Sequence, residues 1–484
     1  LSVLSALAHA ALAGPPPATL KLSACELEHP LRLAAFAAEC GSLSVPEDPA
    51  HPEGRHIGLA IARVAAISRR KQPDPLFVLA GGPGQSAREF YTTVAGAFAR
   101  ILRERDIVLV DQRGTGGSNR LDCAEGDDFT GRATQAEVVA ATRQCLAALK
   151  PRADVAFYTT SLAVTDLERV RAALGYERIN LYGASYGTRV AQQYLRHYPG
   201  RTRSVILDGV VPVELALGFT SALDAERSLG DILARCRGEE ACRGRFGDPV
   251  KDYRAVRRAL SEGVALVSVP DPSTGLSRQV EFSSDSLAAV LRLGSYSADY
   301  AALLPLMLHA GADNDFGPLA AQYLLVQRSV VDALAGGMHN SVVCAEDVPF
   351  FDRSTVDSAR LALATTYLGT SQLDGLQTIC GIWPRGPVDA DLHAPLESAV
   401  PALLLSGSDD PVTSPAFADE ALRSFAQGLS LVLEGFGHGQ LTAPCVDRLM
   451  EQFVASASTA LLDASCIRKA SPLPFFTSLN GPPP

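Results

Sequence analysis

Several short runs in this chain are apolar without alternating with polar residues. Leu76 to Ala80 is one and Ile107 to Val110 another. Ile179 to Tyr182, Ser204 to Leu207, Ala402 to Leu405 and Ser430 to Leu433 follow. Strands that read this way are covered on both faces, the habit of a parallel sheet packed between helices, whereas a half-exposed antiparallel strand alternates. Gly58 to Val64 reads as an additional, early strand. Helical patterns lie between the runs, at about 134–149 and 161–174, and Val190, Ala191, Tyr194, Leu195 and Tyr198 recur at helical spacing. Strands alternating with helices predict an α/β fold with a mostly parallel, doubly wound sheet.

From 213 to 395 that alternation stops. Helical segments dominate, with polar breaks and a turn at Asp271 to Gly275. The region reads as a mainly helical cap inserted into the sheet fold. The core is then expected in two parts, 25–212 and 396–468, with the cap at 213–395 between them. Residues 469–484 are proline-rich and read as a loosely held tail.

Composition narrows the class. The chain has 484 residues, 47% hydrophobic and 20% charged, values of a globular protein that exclude a disordered one. Lys and Arg number 43 against 53 Asp and Glu, a net charge of −10. An acidic chain without a long basic block argues against nucleic acid or an anionic membrane as partner. Leu1 to Ala13 are small and apolar and run into Gly14 and three prolines. That pattern fits the apolar region and cleavage site of a secretory signal; with no initiator Met or basic segment ahead of it, residues 1–14 read as a truncated signal peptide. No later stretch reaches the ~18 uninterrupted apolar residues of a membrane span.

Ten cysteines, with no C-x-x-C and no zinc spacing, point in the same direction. An even count behind a signal-like segment favours disulfides in an oxidising compartment, secreted or periplasmic. Pairing sequence neighbours gives Cys25–Cys40, Cys123–Cys145, Cys236–Cys242, Cys344–Cys380 and Cys445–Cys466 as the expectation, although spacing alone does not fix connectivity.

The candidate chemistry centres on Gly183-Ala184-Ser185-Tyr186-Gly187, a G-x-S-x-G between the 179–182 strand and a helical pattern. Strand, sharp turn and helix are the context of a nucleophile elbow, which lifts a serine hydroxyl above the sheet. A serine needs a general base, and the base needs an orienting acid. In the chain order Ser, then Asp or Glu, then His, both lie downstream at strand ends. After Asp410 the only histidine is His438, in Gly437-His438-Gly439 behind the 430–433 strand. The acid must follow the 402–406 strand, where Asp409 and Asp410 are adjacent, and chain chemistry does not separate them. For the oxyanion, the N–H of Tyr186 is one expected donor. A second is expected from Gly81-Gly82-Pro83-Gly84, at the end of the 76–80 strand.

These residues together resemble the prolyl aminopeptidase and tripeptidyl aminopeptidase branch of the α/β-hydrolases. That branch carries a Gly-Gly-Pro-Gly loop, here Gly81 to Gly84, and Asp-Gln-Arg-Gly-x-Gly-x-Ser, here Asp111 to Ser118. Its Gly-x-Ser-Tyr-Gly is Gly183 to Gly187, its Asp-Pro-Val-Thr is Asp410 to Thr413, and its Gly-His-Gly is Gly437 to Gly439. Val342 to Asp347 resembles its Val-x-Cys-x-Glu-Asp, and Cys380 to Pro384 its Cys-x-x-Trp-Pro. Cys445 and Cys466 resemble the closing pair of tripeptidyl aminopeptidases. The likeness runs in order from about residue 40 to residue 468. One departure is Ala80, where many prolyl aminopeptidases carry histidine, which bears on strict proline specificity more than on hydrolysis.

The resemblance implies an α/β-hydrolase fold with a helical cap, and a serine aminopeptidase releasing short N-terminal units from peptides. It selects Asp410 over Asp409 as the acid beside Ser185 and His438, with Gly82 and Tyr186 as oxyanion donors. It implies neither metal nor organic cofactor. It also implies a carboxylate for the free amine of the peptide substrate, with Glu346 the first choice and Asp347 the second. A carboxylesterase on the same fold is the alternative; a binding protein that kept the fold is less consistent with an intact Ser185, Asp410 and His438.

Overall fold

The computed structural model describes residues 20–123, 134–218, 220–271, 274–460 and 462–482. The expected signal peptide lies outside the described residues. The strands are β1 (Ser23–Glu28), β2 (Ala35–Pro46), β3 (His56–Val64), β4 (Leu76–Leu79), β5 (Ile107–Val110), β6 (Ile179–Ala184), β7 (Thr202–Asp208), β8 (Ala265–Pro270), β9 (Ser277–Phe282), β10 (Ala402–Gly407) and β11 (Gly428–Leu433). Nine of them form one sheet, in the order β1-β2-β3-β5-β4-β6-β7-β10-β11. From β5 to β11 all neighbours are parallel; β1, β2 and β3 add an antiparallel edge.

The apolar runs inside the sheet become strands because both of their faces are covered, while β11 at the edge is half-buried. Phe77, Leu79, Val108, Val110, Leu181, Val205 and Leu207 point into one buried layer. There they meet Leu149 of α2 (Gln135–Leu149), Leu167 and Val170 of α3 (Thr160–Ala173), and Val190 and Tyr194 of α4 (Tyr186–His197). Leu76, Val78, Ile107, Leu109, Tyr182 and Ile206 point into the opposite layer. They meet Tyr91 and Phe98 of α1 (Ala87–Phe98), and Leu449 and Phe453 of the helix Val446–Ser456. Side chains alternate across each strand, so both faces are mostly apolar. The edge strands β1 and β2 behave differently, with largely exposed or half-exposed residues, and their mixed composition did not read as strand.

Between β7 and β10 the chain leaves the sheet. Helix α5 (Ser221–Gly238) opens this insertion, and its Leu229, Ile232 and Leu233 join a separate core with Val256, Leu291, Leu308 and Leu319. The insertion is helical apart from the antiparallel hairpin β8–β9. Of the turn expected at Asp271 to Gly275, between those two strands, Pro272 and Ser273 lie outside the described residues; with Leu266, Arg278 and Glu281 among exposed positions, the hairpin lacked the apolar runs that marked the main sheet.

All five neighbouring cysteine pairs are bridged. Cys25–Cys40 joins β1 to β2, Cys236–Cys242 closes the end of α5, and Cys344–Cys380 staples two helices of the insertion. Among the described residues no helix is long and apolar enough to cross a membrane.

The tail differs from expectation. Phe475 is 1% exposed within the core of the insertion. The Arg235 guanidinium lies 4.3 Å from its ring centroid, and Phe476 N donates to Ala302 O at 3.0 Å. Proline content suggested a loose end, yet one aromatic side chain is enough to dock the segment. Phe475→Ala should lower the stability of the chain by about 3 kcal/mol. Chemical denaturation measures this, and an unchanged midpoint would mean the tail is not part of the packed structure.

Candidate active site

Ser185 directly follows β6 and caps α4 with φ 54° and ψ −122°, a left-handed conformation for a residue with a Cβ. Glycines make the turn possible. A Cβ on Gly183 would sit 2.3 Å from Gly187 O, and one on Gly187 would sit 2.4 Å from Leu79 O. The strained serine is held by its own backbone: Ser185 N donates to Asp208 O at 2.8 Å, and Thr188 Oγ1 donates to Ser185 O at 2.6 Å. Among the described residues the Ser185 hydroxyl has no hydrogen-bond partner.

The Gly81 to Gly84 loop lies against this turn, and a Cβ on Gly81 would be 3.1 Å from Ser185 Cβ. Gly82 and Gly84 take φ of 107° and 112°, which only glycine adopts readily. Tyr186 is the first residue of α4, so its N–H has no acceptor within the helix. The loop is fixed from the far side by Ala335 N, which donates to Gly84 O at 3.0 Å.

His438 and Asp410 come from the loops after β11 and β10. His438 Nδ1 lies 2.8 Å from Asp410 Oδ2. The same carboxylate accepts from Val412 N at 2.7 Å, Thr413 N at 2.8 Å and Thr413 Oγ1 at 2.8 Å. Burial opposes the charge on Asp410, but His438 and these donors outweigh it and hold the carboxyl below its usual range. Burial likewise opposes a charged His438, and the Asp410 carboxylate overrides it, raising the imidazole above its ordinary value. Asp409 turns away: Ser408 Oγ donates to it at 2.8 Å, and Arg235 Nε lies 3.7 Å from its Oδ2. The choice that chain chemistry left open is thus separated by geometry, with Asp410 on the histidine.

The inserted segment clamps both loops. Arg227 of α5 donates to Ser408 O at 2.8 Å and Asp410 O at 2.6 Å, and Arg292 donates to Pro411 O at 2.9 Å. His438 N donates to Tyr296 O at 2.7 Å, and the Tyr296 ring stands edge-on to the imidazole with centroids 5.1 Å apart.

Residues 74–234 match the alpha/beta hydrolase fold family, and residues 365–466 match the TAP-like protein family. Serine protease Hip1 of Mycobacterium tuberculosis is 24% identical over 477 residues, covering 91% of this chain and 90% of that protein. The tripeptidyl aminopeptidase of Streptomyces coelicolor is 30% identical over 206 residues, 39% of this chain and 38% of that protein. This chain is a serine hydrolase of the α/β-hydrolase fold, related to serine peptidases. A protein named carboxylesterase B, also of Mycobacterium tuberculosis, is 31% identical over 226 residues, 42% of this chain and 43% of that protein.

The two acids expected to meet a substrate amine lie beside the elbow of this hydrolase but are closed off. Glu346 is 0% exposed and accepts from Thr160 N and Thr160 Oγ1, both at 2.6 Å. Thr160 Oγ1 in turn lies 2.7 Å from the Tyr186 hydroxyl. Asp347 is 1% exposed and accepts from Arg189 Nη2 at 2.8 Å and Leu217 N at 2.7 Å. An amine could reach Glu346 only by displacing these bonds, whereas Asp347 Oδ2 is buried and takes no hydrogen bond among the described residues. Both acids lie under α4, and their partners Thr160 and Arg189, 186 and 158 residues away in the chain, could not be read from the sequence.

Two other groups were missed. Arg113 of the Asp-Gln-Arg motif is wholly buried on Asp166, at 2.8 and 3.0 Å, which makes that motif a brace. Asp208 accepts from the loop that carries His438. As for metals, His197, Asp389 and Asp391 place ligand atoms within 4.8 Å of one another, at the opposite end of α4 from Ser185; the site around Ser185 does not use them.

Burial pushes the Glu346 carboxyl up to about 7, since Arg189, committed to Asp347, offsets it only in part. The folded chain therefore holds this proton more tightly than the unfolded chain, where the carboxyl titrates near 4.5. Stability due to this group is full below 4.5 and declines as pH rises through about 7, by on the order of 3 kcal/mol. Glu346→Gln should flatten that decline in denaturation curves at pH 5 and pH 8. Identical pH dependence in the two proteins would contradict the buried carboxyl.

Proposed function

We propose that this hydrolase is a secreted or periplasmic serine aminopeptidase that releases short N-terminal units, prolyl or tripeptidyl, from peptides. The observation that carries the mechanism is the Asp410–His438 hydrogen bond of 2.8 Å, beside the strained backbone of Ser185. Ser185 Oγ attacks the scissile carbonyl carbon while His438 Nε2 takes its proton. Asp410 keeps the other imidazole nitrogen protonated and stabilises the imidazolium. The oxyanion rests on the N–H groups of Gly82 and Tyr186. The C–N bond then breaks, His438 returns the proton to the leaving amine, and water hydrolyses the acyl-enzyme with His438 again as base.

The relatives named serine protease and tripeptidyl aminopeptidase support peptide substrates. Five disulfides support an oxidising compartment. One observation favours the carboxylesterase alternative: the Glu346 and Asp347 carboxylates are both buried away from solvent. The test is a panel of aminoacyl, prolyl and tripeptidyl amides, each with a free and a blocked N-terminus, alongside simple acyl esters. The proposal expects free-amine peptides to exceed their blocked forms by at least roughly tenfold in kcat/KM, the minimum for a specific charge contact. Glu346→Gln should reduce both forms alike, as its position under α4 requires. Turnover of acyl esters with no hydrolysis of any amide would overturn the aminopeptidase assignment in favour of the esterase.

A further inference from the structure

Asp208 stands between the two halves of the site. It ends β7, is fully buried, and pairs in register with Ala184 of β6 and Leu405 of β10. Its backbone oxygen accepts from Ser185 N at 2.8 Å. Its carboxylate accepts from Gln440 N, which lies 2.9 Å from each oxygen, and from the Tyr182 hydroxyl at 2.8 Å. Gln440 is two residues past His438, and its side chain donates back to Gly437 O at 2.8 Å. The next residue, Gly209, lies so close under the imidazole that a Cβ there would be 2.9 Å from His438 Cε1. One residue thus fastens the serine turn with its main chain and the histidine loop with its side chain.

The choice of an acid at this position calls for an explanation. No Lys or Arg pairs with the Asp208 carboxylate among the described residues, and burying a carboxylate without a cation is costly. Asparagine could accept the same two hydrogen bonds without that cost. The charge, however, faces His438. The groups around the imidazole are Asp410 from the β10 loop, Asp208 from β7, and the Arg292 guanidinium and Tyr296 ring from the insertion. Those around Asp208 are Tyr182, His438 and Asp410.

We propose that Asp208 is a second carboxylate for His438: a positioning residue that ties the histidine loop to the Ser185 turn and supports the imidazolium formed when Ser185 gives up its proton. The inference rests on the assignment of Ser185 and His438 as nucleophile and base. Burial pushes the Asp208 carboxyl up to about 6, so the charge is present at neutral pH and lost in mild acid.

The test follows the rate at which a fluorophosphonate inactivates the full chain as a function of pH, which needs no knowledge of the peptide substrate. Asp208→Asn keeps the hydrogen-bond acceptor and removes the charge. It should slow inactivation roughly tenfold at pH 7.5 and move the acid limb of the profile down by about half a pH unit, because the imidazole loses a neighbouring anion. Tyr182→Phe, which leaves the carboxylate with one donor fewer, should move the limb in the same direction by less. Melting temperatures of both variants are recorded alongside. A purely structural role would lower the melting temperature and leave the limb where it is in the unsubstituted chain; limbs unmoved in both variants would overturn the proposal. Absence of labelling in the unsubstituted chain would instead refute the assignment of Ser185 itself.

Discussion

The arrangement around Ser185 depends on keeping the Asp410 carboxylate ionised where water does not reach it. A lone buried carboxylate would take up a proton. Here it is met by two backbone N–H groups, the Thr413 hydroxyl and the His438 imidazole. Because its oxygens are saturated, the carboxylate has one orientation, and the imidazole bonded to it inherits that orientation. The loop geometry after β10 and β11 follows from this bond. So does the need for Gly209 and Gly437, which leave room for the ring and for the backbone of Ser295 and Tyr296.

The inserted segment is therefore more than a lid on a finished site. Arg227 and Arg292 bind the carbonyls of the acid loop, and Tyr296 holds His438 by both backbone and ring. On the other side, Ala335 fixes the Gly84 loop, and Glu346 reaches the Tyr186 hydroxyl through Thr160. The sheet supplies the strand ends, and the insertion locks the loops that leave them. Coupling of this kind makes loop precision a property of the whole chain.

What could be read from the sequence was what local chemistry dictates. Uninterrupted apolar runs marked the parallel strands because burial on both faces leaves no polar alternative. Gly183 and Gly187 marked the elbow because no Cβ fits there. The first two strands and the β8–β9 hairpin were missed because exposed strands carry no such signature, and Phe475 was missed because docking by one ring is a tertiary event. Glu346 and Asp347 show the limit most clearly. Two adjacent acids near a cysteine read as a ligand for an amine, but their burial and the bonds they take from Thr160 and Arg189, far away in the chain, could not be read there. Asp208 was simply the last residue of a strand until the fold placed it between Ser185 and Gln440.

The central claim is that Ser185 is activated by His438 and that Asp410, not its neighbour, orients the base. Fluorophosphonate labelling with peptide mapping tests it most directly, comparing the unsubstituted chain with His438→Ala, Asp410→Asn and Asp409→Asn. The account predicts a single adduct on Ser185, formed ~10³-fold or more slowly in the His438 and Asp410 variants and at nearly the original rate in Asp409→Asn. An adduct on another serine, or equal slowing by the two aspartate substitutions, would contradict it.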